Sequence, residues 1–294
     1  MKREEGFWER SAGVRLYHCE WWPEPASDAG AALVLMHGYA EHSRRYDELA
    51  EYLVQRGIAV CRMDARGEGR SNGQRGYIER FEQYTDDLHG YVEHIRALAP
   101  GRPLALLGHS NGGLIAVRAL QQGLAGVSAL VLTNPLIELR PARRPVPELV
   151  ARWLSRAAPR LPLPNGLRVE ALTRDEGLRA AARSDPWIHH RATPRWYWSA
   201  LCEGRAALEQ AAKLALPLLV IVGEADPIVE PSAVQALYER AAAPDKQLWS
   251  RPGELHEVLN ELGRRELFER IAEWLGQRWQ RALSSPAPPP APRP

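Results

Sequence analysis

The sequence predicts an α/β fold: a mostly parallel, doubly wound sheet flanked by helices and interrupted by an inserted helical cap. Three observations predict it. Short apolar runs of strand length recur, continuous rather than alternating, which marks strands buried on both faces. Amphipathic stretches of helical length separate them, and such alternation gives a parallel sheet with crossover helices. The rhythm breaks between about 135 and 212, a stretch rich in proline, arginine and tryptophan, and then resumes.

In chain order, residues 6–10 and 13–22 read as an antiparallel pair at one edge of the sheet. Ala32-Leu33-Val34-Leu35-Met36 is the first buried strand, and a helix follows over 46–56. Ile58-Ala59-Val60-Cys61-Arg62-Met63 is the next strand, with a helix over 81–98. Leu104-Ala105-Leu106-Leu107 leads into a helix over 113–122, and Ala129-Leu130-Val131-Leu132 closes the first half. After the cap, Leu218-Leu219-Val220-Ile221-Val222 restores the pattern and 246–250 offers one last short strand. The expected division is a core of 1–134 and 213–282, a cap of 135–212, and a disordered proline-rich tail over 283–294.

With 294 residues, 45% of them hydrophobic, the chain can bury one large core. A formal net charge of +2 argues against a dedicated nucleic-acid binder. Lys2, Lys213 and Lys246 are the only lysines; the other cations are arginines, which suit ion-pair networks. Cys19, Cys61 and Cys202 are sparse, odd in number and without C-x-x-C spacing, a pattern of buried thiols in a reducing compartment. No apolar signal region follows Met1-Lys2-Arg3-Glu4-Glu5-Gly6. No uninterrupted apolar run reaches the roughly 18 to 20 residues that span a bilayer. The expectation is a soluble, cytoplasmic protein, at most peripheral at a membrane.

Gly108-His109-Ser110-Asn111-Gly112 matches G-x-S-x-G, follows a strand directly and opens a helix. That context suits a nucleophile elbow, a sharp turn that presents a serine in a strained conformation between small residues. A serine alcohol needs a base, which in this arrangement comes last in the order Ser, Asp or Glu, His. Of the nine histidines, His18, His37, His42, His89 and His94 precede the serine. His109 lies inside the turn, and His189 and His190 lie in the cap. Only His256 follows the final strand, so it is the expected base. The orienting acid belongs after the strand 218–222, where Asp226 is the first choice and Glu224 the second. The alternative slot, after 129–132, holds Asn134 and no acid. The oxyanion hole needs two backbone N–H donors; Asn111 supplies one and Tyr39, in His37-Gly38-Tyr39-Ala40, the other.

His37-Gly38-Tyr39-Ala40-Glu41-His42-Ser43-Arg44-Arg45-Tyr46 resembles the H-G-x-G-E-H-S-x-R-Y segment of the monoacylglycerol lipase and lysophospholipase family. Asp64-Ala65-Arg66-Gly67-Glu68-Gly69-Arg70-Ser71 is similar to the start of that family's D-x-R-G-H-G-x-S-x-G-x-R-G run, and Asn72-Gly73-Gln74-Arg75-Gly76 to its end. Asp185-Pro186 and His256-Glu257-Val258-Leu259-Asn260-Glu261 also resemble family positions, and the likeness runs to about Leu275. It implies an α/β-hydrolase fold, a helical cap over the serine, and hydrolysis of single-chain acyl lipids. Three positions depart from the pattern: Ala40 for the second glycine of the oxyanion loop, Glu68 for a histidine, and Asn111 for a methionine. Glu41 and Arg66 read as structural, pinning the oxyanion loop through a charge-assisted bond.

In the cap, residues 147–158 are amphipathic at helical spacing, with Leu149, Val150, Trp153, Leu154 and Ala157 on one arc and Arg152 and Arg156 on its flank. Such a helix can lie on a lipid surface or pack over the core. Trp153, Trp187 and Trp198 are candidate substrate contacts, within an aromatic cluster that includes Trp196 and Tyr197. The expected partner is a small acyl ester, with peripheral lipid contact through the cap and no nucleic acid. No metal or cofactor is called for: the chain has no H-E-x-x-H and no phosphate-binding glycine loop, and His189 and His190 make a poor metal pair. The same triad also serves peptidases and thioesterases, and a hydrolase-like scaffold can bind without catalysis.

Overall fold

The computed structural model describes residues 1–10, 13–26, 29–140 and 146–284. The chain opens with strands β1 (Lys2–Glu9), β2 (Arg15–Trp22) and β3 (Ala31–Met36), then helix α1 (Asp47–Val54). It continues through β4 (Ile58–Met63), α2 (Glu82–Leu98), β5 (Leu104–His109), α3 (Asn111–Gln121) and β6 (Ala129–Thr133). An insertion follows, with α4 (Glu148–Ala157), β7 (Leu163–Pro164), α5 (Glu176–Ser184), β8 (Arg191–Ala192) and α6 (Pro194–Glu209). The core resumes with β9 (Leu218–Gly223), α7 (Pro231–Arg240), β10 (Lys246–Arg251) and α8 (Arg264–Ser284).

Eight strands form one sheet in the order β1-β2-β4-β3-β5-β6-β9-β10. The β1–β2 and β2–β4 pairs are antiparallel, and every later pair is parallel. The continuous apolar runs behave as their composition requires: β3, β4, β5, β6 and β9 are buried at every position. Alternate side chains feed opposite layers. Val34 and Met36 join a core with Ile95 of α2, Leu114 of α3 and Leu237 of α7. Leu33 and Leu35 join another with Leu53 of α1 and Phe268 and Leu275 of α8. A sheet clothed on both faces needs no polar side on its inner strands.

The strand order reverses at β3: the chain moves to β4 on one side and then to β5 on the other. At such a reversal the loops leaving the carboxyl ends of the two strands part, which opens a crevice. The loop after β3 carries His37 to Ala40, and the turn after β5 carries Ser110. Between β6 and β9 the large sheet gains no strand among the described residues; helices and the two-residue β7–β8 ribbon occupy that span. Helix α8 runs to Ser284, and from 285 onward the expected proline-rich tail lies outside the described residues. No described helix is long and apolar enough to cross a membrane. All three cysteines are free; Cys19 and Cys61 are buried, while Cys202 is only half-buried.

Candidate active site

Ser110 sits between β5 and α3 with φ 51° and ψ −119°, a conformation that a side-chain-bearing residue holds only when its surroundings impose it. Its N–H donates to Thr133 O at 3.0 Å, and its carbonyl accepts from Leu114 N and Leu136 N at 3.1 and 2.9 Å. The flanking glycines are steric necessities. A Cβ on Gly108 would come within 2.6 Å of Gly113 Cα, and one on Gly112 would strike the carbonyl oxygens of Met36 and His37.

His256 Nε2 lies 2.9 Å from Ser110 Oγ, and His256 Nδ1 lies 2.7 Å from Asp226 Oδ2. All three residues are buried. The other carboxylate oxygen, Asp226 Oδ1, accepts from Ile228 N at 2.7 Å and Val229 N at 3.1 Å, which orients the group. Burial alone would lower the His256 pKa, but the charge and hydrogen bond of Asp226 outweigh it and raise it above the usual imidazole value. Burial likewise opposes ionisation of Asp226, and the facing imidazole with the two amides overrides it and lowers its pKa. Glu224 is exposed and hydrogen-bonds the Ser250 hydroxyl, away from the imidazole.

Asn134, which motif reading passed over for want of an acid, braces both loops. Its Nδ2 donates to His256 O at 2.6 Å and Leu255 O at 3.1 Å, and its Oδ1 accepts from Gly223 N at 2.9 Å. The signal was present: an amide in the slot of the missing acid offers both a donor and acceptors, which suits cross-bracing.

The Glu41 carboxylate accepts from Gly38 N at 2.5 Å and Tyr46 Oη at 2.7 Å and pairs with Arg45 at 3.0 Å. Burial opposes its charge, yet Arg45 and its other neighbours bring its pKa down to about 2. Arg45 also forms a two-pronged pair with Glu257, so the oxyanion loop and the His256 loop share one buried network. Glu41 thus pins the loop, whereas Arg66 does not: it makes two 2.8 Å bonds to Asp87 on α2. Gly38 N–H is occupied, and among the described residues the N–H groups of Tyr39 and Asn111 have no acceptor. His109 packs 4.8 Å from the His256 ring, and burial first, then the His256 charge, pushes its pKa down to about 4. It stays neutral beside His256.

A cavity of about 320 Å³ opens onto Ser110, His256 and Tyr39. That volume is at the lower end for small-molecule sites. Its walls are largely apolar and include Leu136, Leu154, Ile188, Trp196, Tyr197 and Ile228. Trp153, Trp187 and Trp198 are not among them, a correction to the sequence expectation. Trp198 lies two residues beyond Trp196 on α6, about 200° round the helix, and so faces elsewhere. On α4 Leu154 turns to the cavity, while Leu149, 78% exposed, and Trp153, 65% exposed, point outward. The residues α4 buries are Ala151 and Ser155, small side chains that let it approach α6 closely. Among the described residues no group of three His, Cys, Asp or Glu is placed to hold a metal.

Residues 27–263 match a family model described as serine aminopeptidase, S33. The chain is 33% identical to the monoacylglycerol lipase of Mycolicibacterium smegmatis over 93% of this chain and 97% of that one. It is 29% identical to the phospholipase YtpA of Bacillus subtilis, covering 84% and 96%. Among solved structures, Paleococcus ferrophilus monoacylglycerol lipase superposes with a TM-score of 0.79 at 28% identity, covering 90% of this chain and 99% of that one.

Proposed function

Because the chain belongs to the serine aminopeptidase, S33, family of α/β-hydrolases, we propose that it is a serine carboxylic-ester hydrolase acting on single-chain acyl lipids, monoacylglycerol or lysophospholipid. The observation that carries this reading is the unbroken line from Asp226 through His256 to Ser110, opening onto a narrow apolar cavity. In the proposed cycle Ser110 Oγ attacks the ester carbonyl while His256 Nε2 takes its proton. The N–H groups of Tyr39 and Asn111 hold the oxyanion. His256 then protonates the leaving alcohol, and the same imidazole activates water to release the acid from the acyl-serine. Asp226 keeps the imidazole in the required tautomer and stabilises its charged form.

The apolar walls favour an acyl chain over a peptide, whose backbone groups would lack partners there. The exposed Leu149 and Trp153, with Arg152 and Arg156 beside them, support an enzyme that rests its cap on a lipid surface. A fluorophosphonate probe tests the nucleophile: it labels the native chain and fails to label Ser110→Ala. A panel of monoacylglycerol, lysophospholipid, acyl thioester and aminoacyl arylamide tests the substrate class, with a chain-length series for the pocket. Faster turnover of the arylamide or the thioester would overturn the ester reading.

A further inference from the structure

The oxyanion loop carries a backbone penalty at Ala40. Ala40 has φ 63°, and among the described residues only Ser110 and Asn134 share a positive φ without being glycine. A Cβ makes that region costly, so something outside residue 40 must hold it there. Besides the Glu41 bond to Gly38, holding contacts come from the cap. His189 N–H donates to Ala40 O at 3.3 Å, and Tyr39 Oη donates to Arg191 O at 2.6 Å. The Tyr39 ring stacks on Trp196 at 3.5 Å and meets the His189 ring edge-on at 5.6 Å. On the far side of the loop, His42 Nε2 bonds Asp185 Oδ2 at 2.8 Å.

His189 is itself anchored from below. Its Nδ1 accepts from Arg191 N at 3.2 Å, which leaves the proton on Nε2 to be donated to Glu68 Oε2 at 2.7 Å. Glu68 is 1% exposed, and its other oxygen, Oε1, has no hydrogen-bond partner among the described residues. Among the described residues the cap imidazole is therefore the one side chain hydrogen-bonded to this buried carboxylate. Moving the cap segment away would strand a desolvated acid, so the pair resists separation. It is also tied to two of the three departures noted above, Ala40 and Glu68.

We infer that Glu68 and His189 are positioning residues that hold the cap segment 185–193 against the oxyanion loop, keeping Ala40 in its left-handed conformation and the Tyr39 amide aimed at the reacting carbonyl. This rests on the oxyanion role proposed for Tyr39. On this account the segment 185–193 stays fixed through turnover and any opening of the cap is confined to the α4 side.

The test is a double-mutant cycle on a short soluble ester, with kcat counted per serine labelled by a fluorophosphonate, so that unfolded molecules drop out. His189→Ala and Glu68→Ala should each lower kcat about tenfold, the scale of the left-handed penalty for a residue with a Cβ, while KM changes little. Glu68→Gln keeps an acceptor for His189 and should recover most of that loss. Ala40→Gly removes the penalty, so the kcat ratio it produces should be several-fold larger in the His189→Ala background than in the native one. If His189→Ala gives no labelled protein, His189→Phe, which keeps a ring but has no donor for Glu68, reads the same ratio. Unchanged kcat, a loss confined to KM, or an equal Ala40→Gly ratio in both backgrounds would overturn the inference. Absence of labelling in the native chain would instead bring down the serine-hydrolase reading beneath it.

Discussion

Replacing Asp226 by asparagine reverses the polarity of the imidazole without disturbing its packing. Asp226 Oδ1 is held by the N–H groups of Ile228 and Val229, both donors, so the amide oxygen of the substituted side chain must stay there. Its NH₂ then faces His256 Nδ1, where Oδ2 now lies 2.7 Å away. An NH₂ can only donate, so Nδ1 becomes the acceptor and the ring proton moves to Nε2, against Ser110 Oγ. The base can no longer take the serine proton. The expected loss in kcat is about 10⁴, or roughly 5.5 kcal/mol, with KM nearly unchanged.

The same substitution moves the pH profile. Asp226 raises the His256 pKa above the usual imidazole value. A protonated Nε2 cannot accept, so native kcat/KM should fall as pH drops through a value above about 6.5, and the acid limb of Asp226→Asn should lie lower. Stability runs the other way. The contribution from the raised His256 pKa is full below the unfolded value of about 6.5 and is lost as pH rises through the folded one. Activity should therefore rise over the window in which this contribution to unfolding free energy declines. Steady-state kinetics on a soluble ester and urea unfolding from pH 5 to 9 measure both. A fall in kcat below a hundredfold, or a native acid limb at or below 6.5, would refute the reasoning.

Arg45→Met strands the buried carboxylates of Glu41 and Glu257 and should cost about 3–5 kcal/mol in urea unfolding, with activity lost as Gly38 is released; a cost under 1 kcal/mol would count against the shared network. Gly112→Ala drives a methyl into the carbonyl oxygens of Met36 and His37 and should cost about 3 kcal/mol or more, whereas Gly276→Ala, open on α8, should gain up to about 1 kcal/mol. Calorimetric melting of both variants checks the contrast. Leu149→Ser with Trp153→Ser should lower hydrolysis of vesicle-borne monoacylglycerol about tenfold more than hydrolysis of a short soluble ester; equal losses would remove the lipid-surface role of α4.

The elements most legible in the sequence were those whose signal is local. Five apolar runs marked strands that are buried throughout, because a strand covered on both faces tolerates few polar residues. Three residues far apart in the chain were singled out by the strand each follows, and the structure brings their side chains into one hydrogen-bonded line. The facing of the cap was not legible. An apolar arc on 147–158 is equally consistent with covering a core and with meeting a lipid, and only the structure shows that Ala151 and Ser155 are the buried contacts, that Leu154 turns to the cavity and that Leu149, Val150 and Trp153 turn outward.

What the sequence determined alone was the succession of the strands of the large sheet with the helices between β3 and β6, the sharp turn at Ser110 and the slots from which His256 and Asp226 project. Each depends on backbone conformation and hydrophobic period within a few residues. The tertiary structure decided which distant groups became partners: Asn134 bracing the His256 loop, Arg45 joining Glu41 to Glu257, and Glu68 meeting His189 across the cap. Such pairings depend on how loops converge at one edge of a twisted sheet, and a carboxylate or an imidazole reads the same in the chain whichever partner it will find.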